Sequence, residues 1–137
     1  MTTAADVPPA ALARLRAVCL ALPQAYEEQA WVGTRWCVRR KNFGHVLTIT
    51  AGWPPAYARA AGTDGTCTVL TFRSSGSELD VLSHAGYPFF RPMWAPGILG
   101  IVLGEGTDWT EVAELLTESY CVLAPRRFVE LVDRPAG

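Results

Sequence analysis

The chain has 137 residues, of which 50% are hydrophobic and 18% charged, and its twelve basic and thirteen acidic side chains leave a net charge of −1. This length suits one domain with a substantial core, and the composition excludes extensive disorder. The near-zero charge excludes a uniformly basic, histone-like protein but leaves room for a local basic patch. We therefore expect a single domain over residues 1–137, with its core at about 9–124.

The charges are unevenly distributed along the chain. Residues 1–73 carry eight basic and four acidic side chains (net +4), whereas residues 74–137 carry four basic and nine acidic ones (net −5). This division indicates either two solvated faces of opposite sign or a molecule that presents its positive side to an anionic partner.

Compartment signals are few. The N-terminal residues contain no basic segment followed by an apolar one, and the longest apolar stretch, 98–103, is far shorter than a membrane-spanning helix. The four cysteines are scattered, without a C-x-x-C pair, at Cys19, Cys37, Cys67 and Cys121. We expect a cytoplasmic protein with reduced cysteines, without a metal, a cofactor or membrane contact.

The first half of the chain predicts one helix and three strands. After Pro8-Pro9, apolar residues recur at helical spacing until Pro23. From Thr34 the apolar residues alternate, which predicts a hairpin of 34–39 and 43–50 with a tight turn at Arg40-Lys41-Asn42. The other predicted elements are a short helical turn at 56–61 and a third strand at 67–73.

The second half predicts two helices and one central strand. Ser77 opens a capping box and a short helix that ends at Gly86, and Asp108 opens the longest helix, which ends at Pro125. The run 98–103 is apolar throughout, as in a buried strand. Two prolines make 87–94 an edge strand or a loop, and 126–132 adds a last turn.

These elements predict an α+β fold of the order α-β-β-β-α-β-β-α, in which the fourth strand is the weakest. Hairpin-type connections favour a largely antiparallel sheet of about five strands. Strands that are apolar on one side favour helices packed on one face, which gives a two-layer sandwich.

Several short motifs, taken in order, resemble one known family. They are Cys19-Leu20-Ala21-Leu22-Pro23, Glu27-Glu28, Trp31, the run Val38-Arg39-Arg40-Lys41-Asn42-Phe43-Gly44, Trp94, Asp108-Trp109, Leu115-Leu116 and Glu118-Ser119-Tyr120. Their joint order and spacing over 12–124 resemble the MmcQ/YjbR family. This resemblance implies a frataxin-like or secretion-chaperone-like α/β sandwich and the DNA-binding label that the family carries; it implies no catalytic motif.

Basic side chains form the first candidate site. Arg35, Arg39, Arg40 and Lys41 lie within seven positions of the predicted hairpin, and Arg73 shares the strand face of Arg35. With Arg91 they form a candidate phosphate-binding set. The alternative is an ordinary solvated sheet face whose charges prevent edge pairing.

Aromatic side chains form the second candidate site. The segment 87–94 places aromatic residues beside Arg91, where they could stack on a nucleobase or a planar ligand. The candidate stacking residues are Trp31, Trp53, Tyr87 and Trp94. The alternative is that these rings fill the core beneath a proline-rich loop.

Acid–base chemistry and acidic docking are weaker candidates. Glu27 and Glu28 are adjacent, so their side chains point in different directions, and neither His45 nor His84 has an orienting partner visible in the sequence. The residues Glu111, Glu114 and Glu118 form one helical stripe, either solvated or docking a basic partner.

The sequence therefore predicts a non-enzymatic protein that binds double-stranded DNA weakly and without sequence specificity, through its sheet-face arginines. The alternative is a module that binds a small molecule or a protein partner through the aromatic loop 87–94.

Overall fold

A computed structural model describes residues 6–63 and 65–132, within which the chain forms five helices and six strands. In chain order they are α1 (Pro9–Cys19), β1 (Tyr26–Gln29), β2 (Thr34–Val38), β3 (Lys41–Ile49), α2 (Pro55–Ala61), β4 (Cys67–Arg73), α3 (Gly76–Ser83), β5 (Phe89–Phe90), β6 (Ile98–Leu103), α4 (Trp109–Leu123) and α5 (Arg126–Val129).

All six strands belong to one antiparallel sheet of the order β1-β2-β3-β4-β6-β5. The predicted α+β sandwich with an antiparallel sheet is confirmed. The sheet has one strand more than expected, because β1 pairs with β2 along residues 26–29, where the sequence shows no apolar alternation. The segment 87–94 supplies the short edge strand β5, as predicted.

The main core lies between the sheet and the two longest helices. From the sheet, Trp36, Phe43 and Leu70 are fully buried, and they meet Leu15 of α1 and Leu116 of α4. Asp108 caps α4 as predicted, since its Oδ1 accepts hydrogen bonds from the amides of Thr110 and Glu111. The apolar stripes of both helices therefore face one side of the sheet.

The opposite face of the sheet is covered by α2. Leu47, Ile49 and Val69 form a second buried cluster there with Ala58 of α2. This short helix, predicted only as a helical turn, begins at Pro55 after the N-cap Pro54 and contacts β5. We refer below to this side of the sheet as the α2 face.

Three predicted element ends differ from the structure. α1 ends at Cys19, before Pro23. α3 has Ser75 rather than Ser77 at its N-cap. The predicted turn at Arg40-Lys41-Asn42 is wrong: the two turn residues are Arg39 and Arg40, and Lys41 already pairs with Val38. The reason for that shift is a bulge after Trp36, which changes the register of the hairpin.

None of the four cysteines, all of them among the described residues, forms a disulfide, and Cys19 and Cys37 are buried. Burial raises the pKa of both thiols, which is the behaviour of small core side chains rather than of reactive thiolates.

Candidate functional site

Five of the six predicted phosphate-binding cations gather at one end of the sheet. Arg39, Arg40 and Lys41 form the β2–β3 turn at that end, and Arg73 is the last residue of β4 and pairs with Ile98. Phe90 pairs with Gly100, so the chain after β5 runs toward the same end and places Arg91 there. We call this group (Arg39, Arg40, Lys41, Arg73 and Arg91) the cationic end.

The cations of this end are available to a ligand. Arg39, Arg40, Lys41 and Arg91 are exposed, and Arg73 is half-buried. Within the described residues, none of the five forms an ion pair; the ion pairs found there involve Arg16, Arg35 and Arg126. Their charges are therefore not neutralised by carboxylates of the same part of the chain.

The tip of the cationic end has an unusual backbone. Arg39 and Arg40 have φ angles of +52° and +67°, in the left-handed region that two-residue hairpin turns require. Such turns strongly prefer Asn-Gly, because at positive φ the Cβ of an L-residue is crowded against the backbone, which glycine avoids and asparagine tolerates. Two arginines thus occupy positions where local stability favours other residues, which is a pattern found at functional sites.

The buried hydroxyl of Ser119 fixes this end of the sheet to α4. Its Oγ donates to the carbonyl of Phe43 and accepts the backbone amide of Arg73 at 2.7 Å. The ends of β3 and β4 are thereby tied to one helix position, which fixes the backbone that carries Arg73.

Arg35, the sixth predicted cation, lies elsewhere. Its side chain is on the α2 face of β2, the second strand of the sheet, where it forms an ion pair with Glu28. Because it lies within the strand and is paired with a carboxylate, Arg35 does not extend the cationic end.

The two adjacent glutamates point to opposite faces, as predicted. Glu27 lies on the helix side and accepts hydrogen bonds from Arg16 and from the indole Nε1 of Trp36. The Arg16 hydrogen bond is the main reason that the pKa of Glu27 is lowered. Glu28, on the α2 face, pairs with Arg35. The two carboxylates therefore do not form a joint acid–base site.

His45 has orienting partners that the sequence did not reveal. Its Nε2 lies within hydrogen-bond distance of the carbonyl of Val32, and the hydroxyl of Tyr57 lies 3.3 Å from its Nδ1. Because a carbonyl can only accept, Nε2 carries a proton, and in the neutral ring Nδ1 accepts from the Tyr57 hydroxyl. Burial, and then the charge of Arg35, lower the pKa of His45 against the opposing effect of the Val32 hydrogen bond. Both ring nitrogens are occupied by the protein.

His84 is exposed at the end of α3, and its Nδ1 lies 2.9 Å from the carbonyl of Asp80. Neither histidine is hydrogen-bonded to a carboxylate within the described chain, so the geometry gives no acid–base pair.

A cleft of about 510 Å³ opens on the α2 face, between α2 and the residues that follow β5. The indole of Trp94 lies against the ring of Tyr57, with centroids 4.8 Å apart, and Tyr57 meets His45 edge-on. The lining residues are Ala56, Arg59, Ala60, Met93 and Trp94. Of these, the sequence pointed only to Trp94; Arg59 and Met93 have no pattern that would single them out.

The four predicted stacking residues do not form one platform. Trp31 and Trp53 contact each other, with centroids 5.4 Å apart, at the end of the sheet opposite the cationic end. Tyr87 is 84% exposed and makes no ring contact with the described residues. Trp94 alone lies in the cleft.

The acidic stripe of α4 lines a second groove, of about 410 Å³, between α3 and α4. Glu111, Glu114 and Glu118 face Glu78 of α3 across it, above apolar side chains such as Val81. Glu78 is also bonded to the hydroxyl of Ser74. The sequence identified the stripe but not its α3 partner.

Across residues 6–63 and 65–132 there is no group of three or more His, Cys, Asp or Glu side chains that could hold a metal ion. No helix of these residues is both long enough and apolar enough to cross a membrane.

Comparison with known proteins gives one match. No curated protein and no solved structure matches the chain. The model of the YjbR family matches residues 20–122, which is most of the chain and includes every strand of the sheet. This match confirms the resemblance found in the sequence motifs: the chain belongs to the YjbR family.

Proposed function

We propose that this protein is a non-enzymatic, cytoplasmic DNA-binding protein that holds double-stranded DNA weakly through its cationic end. The observation that carries the proposal is the convergence of five cations, from three separate parts of the sheet, without an ion-pairing carboxylate in the described chain.

The spacing of the cations suits a phosphate backbone. Three strand spacings, from β3 to β4, β6 and β5, separate the hairpin tip from Arg91. At about 4.8 Å each, they amount to roughly 14 Å. That span corresponds to about four base pairs of duplex, at a rise of roughly 3.4 Å per phosphate along one strand. Up to five phosphates can therefore be contacted without reading base edges.

Acidic side chains lie beside the cationic end and limit its affinity. Glu78 of the acidic groove is bonded to Ser74, the residue after Arg73, and Glu118 precedes Ser119, whose hydroxyl accepts a hydrogen bond from the amide of Arg73. A polyanion is therefore attracted by the exposed cations of the hairpin tip and repelled on the side of α3 and α4, which supports weak binding directed towards the tip.

A binding titration against salt concentration tests the proposal. We expect binding at low salt, with a slope of log K against log [salt] that reaches at most about −4 to −5. The variant Arg39→Ala/Arg40→Ala should reduce the slope by about two. The matched control is Arg14→Ala, which removes an exposed arginine beside Thr68 and Leu103, at the end of β4 and β6 opposite Arg73, and should leave the slope unchanged. Absence of binding at low salt, or equal effects of the two variants, would falsify the proposal.

A second candidate function is a small-molecule or protein-partner module built on the aromatic loop 87–94. The 510 Å³ cleft beside Trp94 favours it, because clefts of that size hold small ligands. Its test is a thermal-shift screen with small aromatic acids, since a ligand of the native state raises Tm. A hit that Trp94→Ala abolishes supports this candidate, and the absence of any shift rejects it for that class of ligand.

A further inference from the structure

The cleft beside α2 has an exposed aromatic wall. Met93 is 89% exposed and Trp94 is 46% exposed, although both are large apolar side chains. One side of the Trp94 indole is held by Tyr57, which is itself half-buried against His45. Trp94 is thereby fixed while part of its surface remains open. Adjacent exposed apolar groups of this kind mark binding surfaces.

The charge of the cleft selects the kind of ligand. Arg59 is the one charged residue among those that line it, and it is exposed without an ion pair in the described chain. Arg91 stands three residues before Trp94, so their Cα atoms are at most about 11 Å apart. A ligand with a flat ring on Trp94 and a negative group near Arg59 or Arg91 matches both the aromatic wall and the positive charge of the cleft.

Arg91 also belongs to the cationic end, so Trp94 of the cleft lies within about 11 Å of one member of that end, measured between Cα atoms. A base within a duplex cannot stack on Trp94, because both of its faces are covered by neighbouring bases. An unpaired base has a free face, and stacking on aromatic side chains is the general way in which proteins hold such bases.

We propose that the Trp94 cleft binds an unpaired nucleobase of DNA whose duplex part lies on the cationic end. This inference rests on the proposed DNA binding and narrows its substrate: the preferred ligand is a duplex that ends in a single-stranded overhang, rather than a blunt duplex.

The test compares a short blunt duplex with the same duplex carrying a single-stranded overhang, by fluorescence anisotropy at one low salt concentration. We expect the overhang to tighten binding roughly five- to tenfold, the lower part of the range for stacking of one base. Trp94→Ala should abolish this preference and leave the affinity for the blunt duplex unchanged, which also reports that the variant is folded. Arg59→Ala, at an exposed position, should reduce the preference.

Trp31→Ala is the matched control, since it removes an exposed tryptophan from the other end of the sheet. Equal binding of the two DNAs by the wild type, or equal loss of the preference in the Trp31 and Trp94 variants, overturns the inference while the proposed function stands. If the protein binds the single strand alone but not the blunt duplex, the proposed function is overturned and the inference with it, because no duplex part then lies on the cationic end. If the protein binds neither DNA, both the proposed function and the inference are rejected.

A last arm uses free adenosine monophosphate as a competitor. If it displaces the overhang DNA at a concentration equal to that of the DNA, the cleft is a small-ligand site and the inference is overturned. Displacement that requires a large excess agrees with the inference, because the duplex part supplies most of the affinity.

Discussion

The hydroxyl of Ser119 and the backbone amide of Arg73 are joined by a 2.7 Å hydrogen bond, although they belong to α4 and to the end of β4. The same hydroxyl donates to the carbonyl of Phe43 in β3. One buried side chain thus satisfies two backbone groups of neighbouring strands. The backbone that carries Arg73 is thereby held to α4.

Ser119→Ala should therefore lower the free energy of unfolding by about 2–3 kcal/mol, because it leaves a buried amide and a buried carbonyl without these partners. Urea unfolding measures the loss. Ser83→Ala is a suitable control, since the Ser83 hydroxyl donates to the carbonyl of Leu79 within its own helix. A Ser119 variant no less stable than the Ser83 variant would contradict this account.

A second stability prediction concerns Gly100, which lies beneath the ring of Phe90 on the neighbouring strand. A Cβ at this position would come within 2.1 Å of the Phe90 ring. We expect Gly100→Ala to destabilise the protein by about 1–3 kcal/mol, as overpacking does. In a Phe90→Ala background the same change should cost less, which a double-mutant cycle measures.

Gly104 provides the matched control, because a Cβ added there meets no atom within 4 Å. Gly104→Ala should change the free energy of unfolding by much less than Gly100→Ala. Equal effects at the two glycines would show that the Phe90 contact is not the cause.

The sequence predicted those parts of the fold that depend on local pattern. The stripe of α4 and its Asp108 cap are visible within fifteen residues, and the structure has both. β1 was not predicted because strand assignment relies on apolar alternation. Its inward-facing residue is Glu27, whose carboxylate becomes tolerable only through Arg16 and Trp36, partners that a local pattern does not reveal.

The candidate site was predictable in its residues but not in its arrangement. Arg39, Arg40 and Lys41 are neighbours in sequence, whereas Arg73 and Arg91 join them only because β4, β6 and β5 are adjacent in the sheet. Arg35 was placed on the correct strand face, but its pairing with Glu28 depends on the unpredicted β1. Non-local strand order thus decided which cations converge.

The lowered pKa of Glu27 predicts a pH dependence of stability. A carboxyl whose pKa is lower in the folded state stabilises the fold above its ordinary pKa, and this contribution is lost as the pH falls through the folded value. Glu27→Gln should therefore reduce the loss of stability in the acidic range. Glu27→Ala should lose a further 1–2 kcal/mol, roughly, at every pH, because the buried indole of Trp36 then has no acceptor.

His45 supplies an internal control at higher pH. The pKa of His45 is lowered in the folded state. As the pH falls, the unfolded chain therefore takes up a proton near the ordinary histidine pKa of about 6.5, at a higher pH than the folded chain does. Stability should decline as the pH falls below that value and level off below the folded pKa. Urea unfolding across the pH range should show this step in the wild type and in both Glu27 variants. Its loss in Glu27→Gln would mean that the two sites are coupled.

The last prediction sets stability against binding at the hairpin tip. Arg39→Asn/Arg40→Gly introduces the residues that a two-residue hairpin turn prefers at positive φ, and it should raise the free energy of unfolding by about 1 kcal/mol. The same change removes two cations, so the salt slope of DNA binding should fall by about two. Arg39→Ala/Arg40→Ala removes the same charges without relieving the strain, so it should weaken binding equally and leave the protein less stable than the Asn-Gly variant. If the Asn-Gly variant bound DNA as tightly as the wild type, the arginines at the tip would have no role in binding, and their positive φ angles would have no explanation in function.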